Sequence, residues 1–371
     1  MTISAADDFR LPAKHPDAPI GPTGETALHL AVLSGDIVAA KKAFEKGAST
    51  GVYDRQRQTP LSRAAQKGDA DMVRFLLAHR AEKEIDHAGH FGTALGMAAL
   101  EGHLEVMQIL LNAGADIDGP DDDGTTPLMQ TIFGAKTEAA EFLLDRGANA
   151  NAVRDGGETV LHLAARSGDE KLLRALFKHG AAESINTQTE NFLQTPLHIA
   201  ALTQEEISAH VLLEMGARTD IQNAVDNTAL GVAVGSTTGN KTGLIRLMVE
   251  KGNIGTRDPS TQMGMTPLHQ AVMLNKFAAV RELVRLGADP EQGDAEGNTA
   301  LHIAAEEGRE DIAAWLVSTG MNPEIENKAG QTPLLVARLK DNDDMAALLI
   351  RAENDYVMRN KKPKSQRLAP K

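Results

Sequence analysis

The sequence predicts an all-α repeat solenoid, made of stacked helix-turn-helix units joined by β-hairpin-like finger loops. Three observations carry this. One register of residues recurs ten times at a spacing close to 33. Each unit pairs two short apolar-periodic stretches, opened by threonine and closed near a glycine. The apolar content is 42% but aromatics are only 3%, so the core is built from Leu, Ala, Val, Ile and Met, which suits closely packed helices.

The register begins at Thr26 (TALHLAVLSGD) and recurs at Thr59, Thr93, Thr126, Thr159, Thr195, Thr228, Thr266, Thr299 and Thr332. The intervals are 33, 34, 33, 33, 36, 33, 38, 33 and 33. A threonine side chain is suited to cap a helix, and the proline that comes after it in five units is pre-set for the first helical position. A second helix follows in each unit, with apolar spacing such as Val73, Leu76, Leu77 or Val106, Ile109, Leu110. In later units Leu212 and Leu247 are the expected core positions of that helix. Glycine after the last turn supplies a left-handed stop. Two such helices cannot bury both apolar faces alone, so neighbouring units stack. Alanines such as Ala64, Ala65, Ala304 and Ala305 let them approach. Lys41 and Lys42 in the first unit and the polar run RAENDYVMRNKK after the last read as wettable caps.

These features resemble the ankyrin repeat family, whose unit carries T-P-L-H-x-A, a second helix and a glycine turn. TPLH stands intact at Thr195–His198 and Thr266–His269, and Gly-Ala recurs at Gly47, Gly114, Gly147, Gly180, Gly216 and Gly287. Departures fall at Arg80, Gly252–Asn253, Gly320–Met321 and Glu353. The resemblance covers residues 24–353. It gives the expected organisation: a disordered arm over 1–22, a domain of about ten repeats over 23–353, and a basic flexible tail over 354–371. In the family, the histidine of TPLH ties the turn to adjacent backbone, which is the role the resemblance implies for His29, His162, His198, His269 and His302.

Several function classes are disfavoured. The chain has no cysteine, which removes disulfides, thiolate zinc sites and a cysteine nucleophile. No apolar run approaches the roughly 18 residues of a membrane span, and the amino-terminal stretch lacks an apolar signal core. Net charge is −13, whereas residues 354–371 hold six Lys or Arg against Asp355 alone, leaving −18 on the remainder. An acidic body is a poor nucleic-acid surface, although the tail is not.

Four local motifs invite chemistry. The stretch GSTTGNKT at Gly235 differs from the Walker A pattern by Asn240 in place of the second glycine. A phosphate loop needs a preceding strand, whereas this stretch joins two helices and carries a three-residue insertion, so it reads as a turn. His87 and His90, with Asp86, have metal-like spacing but no third partner nearby. Asp121, Asp122 and Asp123 lack the alternating ligands of a calcium loop and read as a solvated turn. Trp315 shares a second-helix position with Phe75, Ile109 and Phe142 and is expected in the core. No nucleophile, base and oxyanion donor converge, so the expectation is a chain that is not an enzyme and needs no cofactor or metal.

By analogy with the family, the seventh and eighth residues after each register threonine face a groove. Six of the ten seventh positions are apolar, among them Leu100, Phe133, Leu202 and Met273. Arg166, Thr203 and Leu274 stand beside them. Two fingers are longer than the rest, and they carry Phe192 and Leu193 before Thr195, and Met263 and Met265 before Thr266. Bulky apolar groups in a polar rim are what binding anchors look like. These eleven residues are the candidate partner-binding set, and the expected partner is a protein or extended peptide, with no small-molecule substrate or membrane. The expected location is the cytoplasm. The alternative is that the basic tail directs nuclear import or nucleic-acid contact.

Overall fold

A computed structural model of the chain describes residues 15–79, 81, 85–89, 92–239, 241–252 and 263–360. Among them the repeated elements are all helical, with isolated antiparallel bridges at finger loops such as Val153–Thr159 and Gln222–Thr228. The chain divides into two compact units, residues 1–184 and 185–371.

In the first unit the helix pairs are α1 (Ala27–Ser34) with α2 (Ile37–Glu45), α3 (Pro60–Lys67) with α4 (Ala70–Ala78) and α5 (Ala94–Glu101) with α6 (Leu104–Asn112). Then come α7 (Pro127–Phe133) with α8 (Thr137–Leu144), and α9 (Val160–Ala165) with α10 (Glu170–Lys178). In the second unit they are α11 (Pro196–Thr203) with α12 (Glu206–Glu214), α13 (Ala229–Ser236) with α14 (Gly243–Lys251) and α15 (Pro267–Met273) with α16 (Phe277–Arg285). The last are α17 (Ala300–Glu306) with α18 (Glu310–Ser318), and α19 (Pro333–Leu339) with α20 (Asp343–Asn360). Within each unit the first helices pack in a row, α1 to α9 and α11 to α19.

The register threonines cap as their chemistry requires. Thr26, Thr59, Thr126, Thr195, Thr266 and Thr332 each accept from the backbone N–H three residues on. Ala64, Ala65, Ala98, Ala99, Ala304 and Ala305 are fully buried, where a larger side chain would hold the helices apart.

Ten residues after the threonine, the sequence uses two solutions. Asp36, Asp69 and Asp169 cap their own second helix by accepting from Ala39, Met72 and Leu172 N–H. At His103, Lys276 and Arg309 the side chain instead reaches back to the end of the preceding first helix. His103 Nε2 bonds the Gln66 carbonyl at 3.1 Å, Lys276 Nζ that of Thr237 at 2.9 Å and Arg309 Nη2 that of Met273 at 3.1 Å. Helix-end carbonyls are unsatisfied within the helix and attract positive charge, so the second solution binds neighbouring repeats together.

Fingers are closed by an Asp or Asn five residues before the threonine. Asp54, Asp121, Asn223, Asp294 and Asn327 each accept from two N–H groups of their own turn, two and four residues on. Asp121 is thereby a turn-former, and Asp122 pairs with Arg57 across fingers at 2.6 Å. A backbone bond then joins several fingers to the next, such as Ala224 N–H to Phe192 O at 2.9 Å, Ala295 to Met263 at 3.0 Å and Lys328 to Glu296 at 2.9 Å.

Three differences from expectation have physical causes. Trp315 is half-buried rather than core and meets Phe277 edge-on at 6.1 Å, because its position faces the seam between neighbouring second helices. Leu247 is likewise half-buried, and Leu244, Ile245 and Met248 are the core of α14. The helix α20 runs through residues 354–360, past the array boundary expected at 353, because the stripe of Met345, Leu349 and Ala352 continues to half-buried Tyr356. Residues 1–14 and 361–371, at the ends expected to be an arm and a tail, lie outside the described residues.

The Gly235 stretch joins α13 to α14, with Thr237 Oγ1 donating to the Ala233 carbonyl at 2.8 Å. No strand precedes it, so the sheet that a phosphate loop requires is missing there. Asn240 lies outside the described residues, as does His90. Asp86 accepts from Asp116 N–H at 2.9 Å, and His87 stacks on Tyr53. Among the described residues no group of three His, Asp or Glu is placed to hold a metal ion.

Candidate functional site

The buried histidines are structural joints. His29, His198 and His302 receive the N–H of Thr26, Thr195 and Thr299 on Nδ1 at 3.3, 3.2 and 3.1 Å. With Nδ1 accepting, the proton sits on Nε2. That nitrogen donates to the carbonyls of Gln58, Asn227 and Gln331, 29 residues on, at 3.0, 2.9 and 2.9 Å. Burial holds the imidazoles of His29, His198, His269 and His302 below their ordinary pKa, hence neutral. With both nitrogens committed to the scaffold, His29, His198 and His302 are not free for general base catalysis, whereas His269 has its Nδ1 bonded to Thr266 N–H and its Nε2 buried without a hydrogen-bond partner among the described residues. In the tenth repeat the position is Leu335, and among the described residues α20, not another finger, follows that repeat's first helix.

In the second unit, the finger tips and the ends of the first helices enclose a groove of about 570 Å³. Leu202, Met263, Met265, Met273 and Leu274 all line it. The sequence missed Val225 and Val232, which join them. Val225 stands at the tip of a finger of ordinary length, where only its exposure of 68% marks it. Met263 is 64% exposed and Leu202 51%, whereas Met265 is buried and forms part of the groove floor. Gln270, also buried, donates to Asn227 Oδ1 and gives that floor a polar element. Thr203 lies beside the groove with its hydroxyl bonded back to Ile199 O at 2.9 Å, so it offers little to a ligand.

Phe192 and Leu193 do not line this groove. They form the tip of the neighbouring finger, with Phe192 65% exposed. Leu193 has φ +49°, at the turn position where Gly24, Gly124, Gly264, Gly297 and Gly330 also adopt positive φ. The left-handed conformation is unfavourable for a leucine by roughly 1–2 kcal/mol, because Cβ crowds the following carbonyl. The finger therefore displays an apolar side chain from a strained backbone.

Leu100, Phe133 and Arg166 belong to the first unit. Phe133 is exposed, and the Arg154 guanidinium lies 5.5 Å above its ring. Glu158 ties Arg154 at 2.6 Å to Arg166 at 3.0 Å, and these hydrogen bonds outweigh its burial and hold its carboxyl below the usual pKa. Arg166 is thus engaged in a local ion-pair cluster. Leu100 is half-buried, and a Cβ on Gly134 would lie 1.8 Å from its carbonyl oxygen, so the close contact of α5 and α7 depends on that glycine.

A second groove, about 600 Å³, lies over α17 and α19. Val336, Leu339 and Ala295 give it an apolar side, and Glu296, Glu306 and Lys340 a charged one.

Comparison with known proteins agrees with this architecture. The family model for ankyrin repeats matches residues 9–88, 82–154, 133–223, 208–294 and 275–360. The E3 ubiquitin-protein ligase KEG of Arabidopsis thaliana is 26% identical over 302 residues, which is 76% of this chain and 18% of the relative. The human transient receptor potential cation channel subfamily A member 1 is 25% identical over 337 residues, 77% of this chain and 29% of the relative. The chicken nuclear factor NF-kappa-B p105 subunit is 30% identical over 235 residues, 61% of this chain and 23% of the relative. The chain thus spans less than a third of each of these three proteins. Matches extending from residue 9 to residue 360, together with the capped helix pairs, place the chain in the ankyrin repeat family.

Proposed function

We propose that the chain is a non-enzymatic interaction scaffold that binds another protein or an extended peptide along the finger tips and first-helix ends of its second unit. The observation that carries this is the groove lined by Leu202, Val225, Met263, Met273 and Leu274. Left exposed, these groups keep apolar surface in water at about 25 cal/mol per Å², and covering them by a partner recovers it. Methionine side chains adapt to varied shapes, which suits a surface of this kind. The relatives include a ligase, a channel and a nuclear factor, so the repeats accompany unrelated activities, as a binding module would.

The second reading, that the basic carboxy-terminal residues direct nuclear import or nucleic-acid contact, rests on six cations against one acid in residues 354–371. Affinity purification of the intact chain, of Met263→Ala/Met273→Ala and of a chain ending at residue 360 separates the two. The groove reading predicts loss of the main partner only in the double variant. Loss of that partner only on removal of residues 361–371 would favour the second reading.

A further inference from the structure

The two grooves of the second unit share one row of helices. The first lies over α13 and α15 and the second over α17 and α19, and each helix of this row packs on the next. Packed helices are spaced by roughly 8–10 Å, so the two groove centres, two helix steps apart, are separated by roughly 16–20 Å. An extended chain advances about 3.4 Å per residue and covers that span in roughly five or six residues.

The grooves differ in charge. Among the described residues, Asp226 is the one ionisable group lining the first. In the second, both cations are committed: Lys340 Nζ lies 3.0 Å from Glu306, and Lys328 Nζ donates to the Ala295 carbonyl at 2.5 Å. Glu307 pairs with Arg309 at 3.4 Å. The two Glu and two Lys of this lining balance, and the Glu296 carboxylate, exposed at the rim with no side-chain bond among the described residues, is the acid left open to a partner's cation.

From this spacing and charge we infer that the occupant is a single extended segment with two anchors: an aliphatic side chain in the first groove and, roughly five or six residues away, a second aliphatic side chain next to a Lys or Arg that meets Glu296. The inference rests on the groove reading above and adds the partner's sequence pattern to it. Two weak contacts on one short chain reinforce each other, because the second binds at the high effective concentration set by the first.

The test is to pan a phage-displayed library of random peptides of about 16 residues, long enough to span both grooves, against the full chain. Enriched peptides are then synthesised and titrated against wild type, Met273→Glu, Leu339→Glu and Glu296→Gln, with melts confirming that each variant is folded. The inference predicts paired aliphatic residues at the stated spacing with a cation beside one of them. It predicts a loss of about tenfold or more for Met273→Glu, for Leu339→Glu and for peptides with three residues deleted between the two anchors, and a smaller, salt-sensitive loss for Glu296→Gln. Enriched peptides with one anchor, sensitive to Met273→Glu but not to Leu339→Glu, would overturn the two-anchor inference and leave the groove reading standing. No enrichment, or enrichment indifferent to both substitutions, would overturn both.

Discussion

His198 donates from Nε2 to the carbonyl oxygen of Asn227 at 2.9 Å, joining one first helix to the finger that opens the following repeat. Because burial depresses the pKa of His198, and likewise of His29, His269 and His302, the folded chain binds fewer protons than the unfolded one between the folded value and about 6.5. Stability is therefore full above about pH 6.5 and falls as pH drops below it. Denaturant midpoints between pH 7.5 and 5.5 should decline, with no matching change between 8.5 and 7.5. Histidine titrations by NMR at or above 6.5 in the folded chain would contradict this. A second loss belongs to Glu282, whose bonds to Arg285 and Arg246 lower its pKa to about 2. Its contribution is present above about 4.5 and is lost as pH falls through about 2.

Leu193 occupies a left-handed turn position that glycine fills in most fingers. Leu193→Gly relieves the crowding but adds unfolded-chain entropy, so a net stabilisation of about 0.5–1 kcal/mol is expected. If the tip is used in binding, the same variant weakens partner affinity. A melting temperature below wild type would show that Leu193 packs favourably where it stands.

Gly134→Ala should destabilise the first unit by about 1–3 kcal/mol, because the added carbon meets the Leu100 carbonyl, a backbone atom that cannot rotate away. The comparison is Gly114→Ala. There nothing lies within 4 Å of the added carbon, and the loss comes from the positive φ of +94° alone. Equal stability of wild type and Gly134→Ala would show that α5 and α7 separate at no cost.

Truncation at two points separates the packed end of α20 from the residues beyond it. Ending the chain after residue 360 should leave the melt unchanged. Ending it after Glu353 removes Tyr356, which lines a hollow with Val317 and Met321, and should cost about 1–3 kcal/mol. Equal melts for both truncations would show that the last turns of α20 do not pack.

The repeat register made the fold legible, because cap, alanine and stop residues are local signals that recur. The groove was partly legible: Leu202, Met263 and Met273 stood at positions or in insertions that sequence spacing exposes. Val225 was not, since its finger has ordinary length and only the neighbouring tip at Met263 makes it part of a groove. Met265 shows the converse. It shares a long finger with Met263, but its position, next to the capping Thr266, turns it inward. Trp315 and Leu247 were misplaced because neighbouring positions on a short second helix alternate between core and seam, and apolar spacing alone does not separate them.

The most direct test of the binding face compares exposed and buried residues of one unit. For the partner recovered by affinity purification, the dissociation constant and the melting temperature are measured for wild type, Leu202→Ala, Met263→Ala, Met273→Ala and Leu212→Ala. The three groove variants should weaken binding by about 1–3 kcal/mol each with nearly unchanged melts, because their apolar area is buried on association rather than on folding. Leu212→Ala, in the fully buried core of α12, should cost about 2–5 kcal/mol of stability through the cavity it leaves. If the groove variants melt early yet bind normally when folded, these residues are packing groups, and the binding face lies elsewhere on the chain.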